Sequence, residues 1–179
     1  MLLAHTTDDN HVLSVLTEGL KPSRETGRRN YGESNPDYIY LSALPRLKPF
    51  YDSWGNYQFY LNMDFFRTHV DQFKAYHRDS QPDFNKFIEE YGIEEITVGW
   101  GDDDAISNQI VSLKPVPIRA LDTLVVNYSD DLIINGHSKT EWRKVRLRDF
   151  LPVHMKMFLT ELNTRKLRRV HLPKKVKQD

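Results

Sequence analysis

Cysteine is absent from the 179 residues. That absence removes structural disulfides, thiolate metal centres and a cysteine nucleophile from consideration, and it fits a reducing compartment. Long apolar runs are also missing: no stretch reaches the roughly 18 residues that a membrane-spanning helix needs. The opening Met1-Leu2-Leu3-Ala4-His5 lacks the basic region and extended apolar stretch of a secretion signal. The expectation is a cytoplasmic chain with no membrane partner. There is no glycine-rich phosphate loop and no Gly-x-Ser-x-Gly elbow. The seven histidines (His5, His11, His69, His77, His137, His154 and His171) include no His-x-x-x-His pair, so their spacing argues for no metal site. Asp102-Asp103-Asp104 lacks the glycine and glutamate placements of an EF-hand loop and reads as an acidic turn.

What is present is a globular composition, 39% hydrophobic and 12% aromatic, in a length suited to one domain with its own core. The expectation is a single domain over residues 1–179, with its core at about 2–126 and a basic extension at 137–179. Net charge is zero but unevenly spread. Residues 137–179 hold 13 Lys/Arg against 4 Asp/Glu, which leaves the preceding part acidic by a similar amount. Such a segregated basic third either meets an anionic partner, nucleic acid first among them, or is a solvated helix and a frayed tail.

Pattern along the chain predicts a mixed α+β fold. Strands are expected at residues 2–5, 38–42, 57–63, 93–100, 109–113 and 121–126, where β-branched and aromatic residues concentrate or alternate. A helix follows the first strand, with Thr7, Asp8 and Asp9 as N-cap candidates, apolar Val12, Val15 and Leu16, and Gly19 as a left-handed cap. Further helices are expected over residues 65–76 and 84–91, the latter closed by Gly92. Residues 142–164 read as a basic helical segment broken at Pro152.

Three stretches stand out together. His5-Thr6-Thr7 ends the first strand, with Gly19-Leu20 fourteen and fifteen residues beyond His5. Tyr40 lies in a strand with Tyr51 eleven residues later, and Asn108-Gln109-Ile110-Val111 opens a late strand after the acidic turn. In order and spacing these resemble the ADP-ribosyltransferase superfamily, in its poly-ADP-ribose polymerase and diphtheria-toxin-like branch. The start is also similar to DarT-type DNA-modifying toxins, and more distantly to RNA 2′-phosphotransferases. The resemblance covers about residues 2–126.

This resemblance implies a fold of split mixed or antiparallel sheets with short flanking helices, and NAD as the substrate. His5, Thr6, Thr7, Tyr40, Ser42, Arg46 and Tyr51 would bind NAD. A histidine nitrogen suits a ribose hydroxyl, two tyrosines suit the flat nicotinamide ring, and Arg46, Lys48 or Arg24 suits the pyrophosphate. Gln109 and Tyr40 occupy the catalytic positions. Trp100, Asp104, Ser107 and Asn108 would present the acceptor. Arg143, Lys144, Arg165, Lys166, Arg168 and Arg169 would hold its backbone if it is DNA or RNA. The toxin-like setting further implies an antitoxin or inhibitor partner.

Two positions depart from the family pattern. Tyr38 stands where its strand often has glycine, and Gln109 stands where the family has glutamate. An amide can hydrogen-bond a ribose hydroxyl but offers no charge to the cation that develops as nicotinamide leaves. Three explanations remain open: an inactivated or weakened enzyme, a natural binding protein without turnover, or another carboxylate (Asp104, Glu94 or Glu95) serving instead. Two other functions stay in view, a non-catalytic nucleic-acid or NAD-binding module and an RNA 2′-phosphotransferase using Arg24, Arg28 and Arg29.

Overall fold

The computed structural model describes residues 1–8, 10–27, 35–45, 57–76, 81–96, 108–127, 133–134, 137–138 and 142–147. All belong to the unit Met1–Leu147; a second unit, Arg148–Asp179, lies outside the described residues.

Nine strands and four α-helices are described. They are β1 (Leu2–Thr7), α1 (Val12–Glu18), α2 (Ser23–Thr26), β2 (Ile39–Leu44), β3 (Tyr57–Leu61), α3 (Met63–Thr68), β4 (Phe73–Ala75), α4 (Pro82–Tyr91), β5 (Gln109–Ser112), β6 (Leu121–Asn127), β7 (Ile133–Ile134), β8 (His137–Ser138) and β9 (Trp142–Arg146). Seven strands form one sheet in the order β4-β5-β2-β1-β3-β6-β9, and β7 and β8 form a separate ribbon. Every ladder is antiparallel. The one parallel contact among the described residues is the isolated Ala75↔Glu95 bridge. The chain is thus α+β.

Strand alternation sorts the sheet into two faces. Leu3, Leu41, Phe59, Phe73, Ile110 and Leu124 share one face through their register and are each at most 1% exposed. Burying a side chain of this size stabilises by about 1.5–3 kcal/mol. Phe66 of α3 joins this core, its ring 5.0 Å from Phe73 and 5.6 Å from Phe87 of α4. The opposite face carries a smaller cluster of Ala4, Leu44, Tyr60 and Val125, with Leu2 packed against it.

The α4 helix follows its sequence signals closely. Pro82 starts it, Asp83 lies in its first turn, and Phe84, Phe87 and Ile88 form the buried stripe. Gly92 closes it in the left-handed region at φ 61°, where glycine carries no Cβ penalty.

Four expectations need correction. Residues 142–146 are not helical: Trp142–Arg146 is β9, an edge strand paired to β6 over five residues. Trp and Val favour strands, and pairing with β6 supplies hydrogen bonds that basic composition does not reveal. The helix expected over residues 65–76 stops at Thr68. A short 3₁₀ turn follows, and Phe73–Ala75 becomes β4 because Phe73 and Ala75 bury on alternate positions around Lys74. Of the strand expected over residues 93–100, residues 93–96 are not strand apart from the isolated Ala75↔Glu95 bridge, and residues 97–100 lie outside the described residues. Finally, Gly19 ends α1 at φ 80°, ψ −164°, which is not the helical left-handed conformation.

The cap of α1 also differs in detail. His11 is the N-cap residue and makes no side-chain cap bond. Asp8 lies upstream, its Oδ1 accepting from the Asn10 and His11 amides at 3.0 and 3.1 Å. Thr7 is the last residue of β1.

Candidate functional site

The stretches singled out in sequence fall on neighbouring strands. His5, Thr6 and Thr7 end β1, Tyr40 and Ser42 lie on β2, and Gln109 opens β5, with β2 between the other two. Ser42 is the direct partner of Gln109. The Ala43 amide donates to the Asn108 carbonyl at 2.8 Å, so Ser42/Gln109 is the next, non-hydrogen-bonded pair. Such pairs bring their side chains closest, with Cα atoms about 4.5 Å apart.

On the other flank of Gln109, the Tyr76 amide donates to its carbonyl at 2.9 Å. This continues the β4–β5 register by one residue beyond Ala75↔Ile110. Alternation therefore places Tyr40, Ser42, Tyr76 and Gln109 on one face of the sheet.

Three tyrosines meet there. The Tyr40 ring lies edge-on to Tyr76, centroids 5.7 Å apart, and Tyr38 is 6.2 Å from both. Edge-to-face packing of this kind contributes about 0.5–1.5 kcal/mol per pair beyond area burial. The Tyr40 hydroxyl accepts from the Asn35 amide at 2.8 Å, which orients the phenol. Tyr76 was missed as a site residue in sequence because it reads as the end of a helix. Only the β4–β5 pairing carries it beside Tyr40.

Gln109, on the same face, is 8% exposed. Its Oε1 is buried with no hydrogen-bond partner among the described residues. A buried acceptor without a donor costs about 1–3 kcal/mol, so a ligand hydroxyl donating to it recovers that loss. Gln58 on β3 is similar: it is 3% exposed, and neither amide atom has a partner among the described residues. It pairs with Thr6, which shares the Gln109 face.

His5 behaves differently from its neighbours. The β1–β2 ladder covers Leu2↔Leu44, Leu3↔Ala43 and Ala4↔Ser42 and then stops, although both strands continue. Beyond that point β1 pairs with β3, and β2 with β5. At this fork the His5 ring reaches sideways to the Tyr40 carbonyl, Nδ1 lying 3.0 Å from the oxygen. A carbonyl only accepts, so Nδ1 carries a proton and donates to it. The pleat assigns His5 and Thr7 to the face opposite Thr6, Tyr40 and Gln109. The histidine thus belongs to the site by crossing the fork rather than by sharing its face.

The Arg24 guanidinium bonds both carboxylate oxygens of Asp37, one at 2.9 Å, in an exposed pair. Of the spare carboxylates, Glu94 is 78% exposed and is bonded by the Lys74 ammonium. That hydrogen bond and the ammonium charge hold the Glu94 carboxyl below its usual range. It therefore stays anionic and occupied at the β4 edge. Glu95 is exposed. Asn108 immediately precedes β5, its Oδ1 accepting from the Gln81 amide at 3.2 Å. Arg143 and Lys144 fall on β9, and Arg146 on the same strand is exposed. Arg28, Arg29, Arg46, Lys48, Tyr51, Trp100, Asp104, Ser107, Arg165, Lys166, Arg168 and Arg169 lie outside the described residues.

Among the described residues no group of three or more His, Asp or Glu side chains could hold a metal ion. No described helix is long and apolar enough to cross a membrane. Comparison with protein-family models, curated proteins and solved structures returned no match.

Proposed function

We propose that the chain is an NAD-binding domain of the mono-ADP-ribosyltransferase type, toxin- or effector-like, with turnover weakened by Gln109. The observation that carries this reading is the pairing of β1, β2 and β5. It gathers His5, Thr6, Tyr40, Ser42 and Gln109 around one fork in the sheet, with Gln109 on the face that carries the Tyr40–Tyr76 ring pair. A flat, hydroxyl-bearing ligand fits those groups: aromatic faces for a ring, and a buried amide oxygen without a partner among the described residues for a ribose hydroxyl.

In this reading Tyr40 stacks the nicotinamide ring and the Gln109 amide oxygen accepts from the nicotinamide-ribose hydroxyl. His5 Nε2 hydrogen-bonds the adenosine ribose while Nδ1 stays anchored to Tyr40. NAD supplies the bond to be broken and the ADP-ribose to be transferred. What the chain lacks at Gln109 is negative charge beside the developing cation. Losing such a group costs on the order of 3 kcal/mol, about a hundredfold in rate. The acceptor is a macromolecule. The basic surplus of residues 137–179, with Arg143, Lys144 and Arg146 on β9, favours nucleic acid.

The test is a paired assay of the wild-type protein and Gln109→Glu. Nicotinamide release from NAD is followed with cell lysate supplying acceptors, and NAD-dependent melting shifts are read alongside. Release by Gln109→Glu at about a hundred times the wild-type rate or more is the expected result. Release by neither, with a melting shift retained, makes the chain a binding protein. Neither release nor shift at millimolar NAD rejects the reading.

A further inference from the structure

We infer that Asn108 is a positioning residue that holds the Gln109 amide toward its ligand, an inference that rests on the NAD-binding reading. Among the described residues Asn108 is the one non-glycine with positive φ, at 62°. Asparagine tolerates this region better than other residues with a side chain, and such conformations persist where the surroundings over-determine them. Here they do so from three sides.

The Asn108 carbonyl accepts from the Ala43 amide of β2 at 2.8 Å. Its side-chain Oδ1 accepts from the amide of Gln81, the residue capping the start of α4, at 3.2 Å. The next carbonyl, that of Gln109, accepts from the Tyr76 amide at the end of β4 at 2.9 Å. The left-handed turn at Asn108 thus delivers the chain into β5 with β2, β4 and α4 all gripping two consecutive residues.

Gln109 is the first residue of its strand, so the turn before it sets which face its side chain enters. An extended residue at 108 would feed the strand from another direction and forfeit the register that sets Gln109 beside Ser42. The Asn108 side chain reaches the N-cap of α4, so it acts on the ligand through Gln109. Its oxygen accepts from the Gln81 amide, which leaves the amide nitrogen as its donor group.

Three variants separate this from a merely structural role when NAD affinity is read by thermal-shift titration of the full chain. Asn108→Gly keeps the conformation and removes the side-chain bond. Asn108→Asp keeps both a carboxylate acceptor and a tolerable backbone. Asn108→Ala disturbs both features. Expected are near-wild-type affinity for Asn108→Asp and an affinity about fivefold weaker for Asn108→Gly, because a turn no longer tied to Gln81 leaves the ligand to order Gln109 on binding. The ligand-free melting temperature of Asn108→Gly should stay within about 2 °C of wild type. Unchanged affinity in Asn108→Gly overturns the inference. A ligand-free melting temperature that falls in step with affinity, or no rescue by Asp, overturns it as well. If the wild-type protein itself shows no NAD shift, the nucleotide reading fails first and positioning for that ligand fails with it.

Discussion

His5 Nδ1 donates to the Tyr40 carbonyl across 3.0 Å, replacing with a side chain the backbone pairing that β1 and β2 abandon after Ala4↔Ser42. This ring nitrogen ties β1 to β2 at the fork, and it can be separated from its twin. An asparagine amide nitrogen occupies nearly the place of Nδ1, whereas a glutamine amide reaches toward Nε2. His5→Asn should retain most of the stability that His5→Ala loses, a loss of about 1 kcal/mol in urea or thermal unfolding. Under the proposed function His5→Asn should still lose NAD affinity, because nothing replaces Nε2. Equal destabilisation by Asn and Ala would show that the fork does not depend on this bond.

Gly19 carries a steric demand that is independent of function. A Cβ built there would lie 2.2 Å from the Val116 carbonyl oxygen and 2.8 Å from the Ile118 nitrogen. Leu20 and Val116 then bridge backbone to backbone at 2.8 and 2.9 Å. Both blocking atoms are main chain and cannot swing aside, and φ is 80°. Gly19→Ala should cost about 3 kcal/mol. Gly27→Ala is the control: φ there is 67° with no atom within 4 Å of the added Cβ, so about 1 kcal/mol is expected. Equal losses in chemical denaturation would refute the packing account.

Gln58 offers a test of opposite sign. Both amide atoms are buried without a partner among the described residues, and Thr6 and Val125 flank the residue on β1 and β6. Gln58→Leu removes two desolvated polar atoms at little change in volume. It should leave stability unchanged or raise it by about 1 kcal/mol, read from the denaturation midpoint. A loss above about 1 kcal/mol would mean that the amide makes bonds in solution, for instance to a buried water.

The elements that were legible in sequence share one property: their own periodicity determines them. The α4 helix has Pro82 at its start, Phe84, Phe87 and Ile88 on one side and Gly92 at its end, so local chemistry suffices. The strands β2, β3, β5 and β6 are dense in β-branched and aromatic residues and lie inside the sheet, where burial reinforces propensity. The strands β4 and β9 were misread as helix. Phe73–Ala75 is only three residues long, and Trp142–Arg146 is a basic edge strand, so in both cases the partner strand decides what the segment becomes.

The same division runs through the candidate site. By itself the sequence determined which side chains were available: His5, Tyr40 and Gln109, a glutamine without charge, and no cysteine for alternative chemistry. Tertiary structure alone decided how they meet. Pairing register set Gln109 against Ser42, carried Tyr76 across from β4 to Tyr40, and sent His5 to the opposite face to close the fork. Side-chain direction alternates with every residue along a strand, so a register differing by one position would face each of these groups the other way. That choice is made by contacts distant in sequence, and no local pattern encodes it.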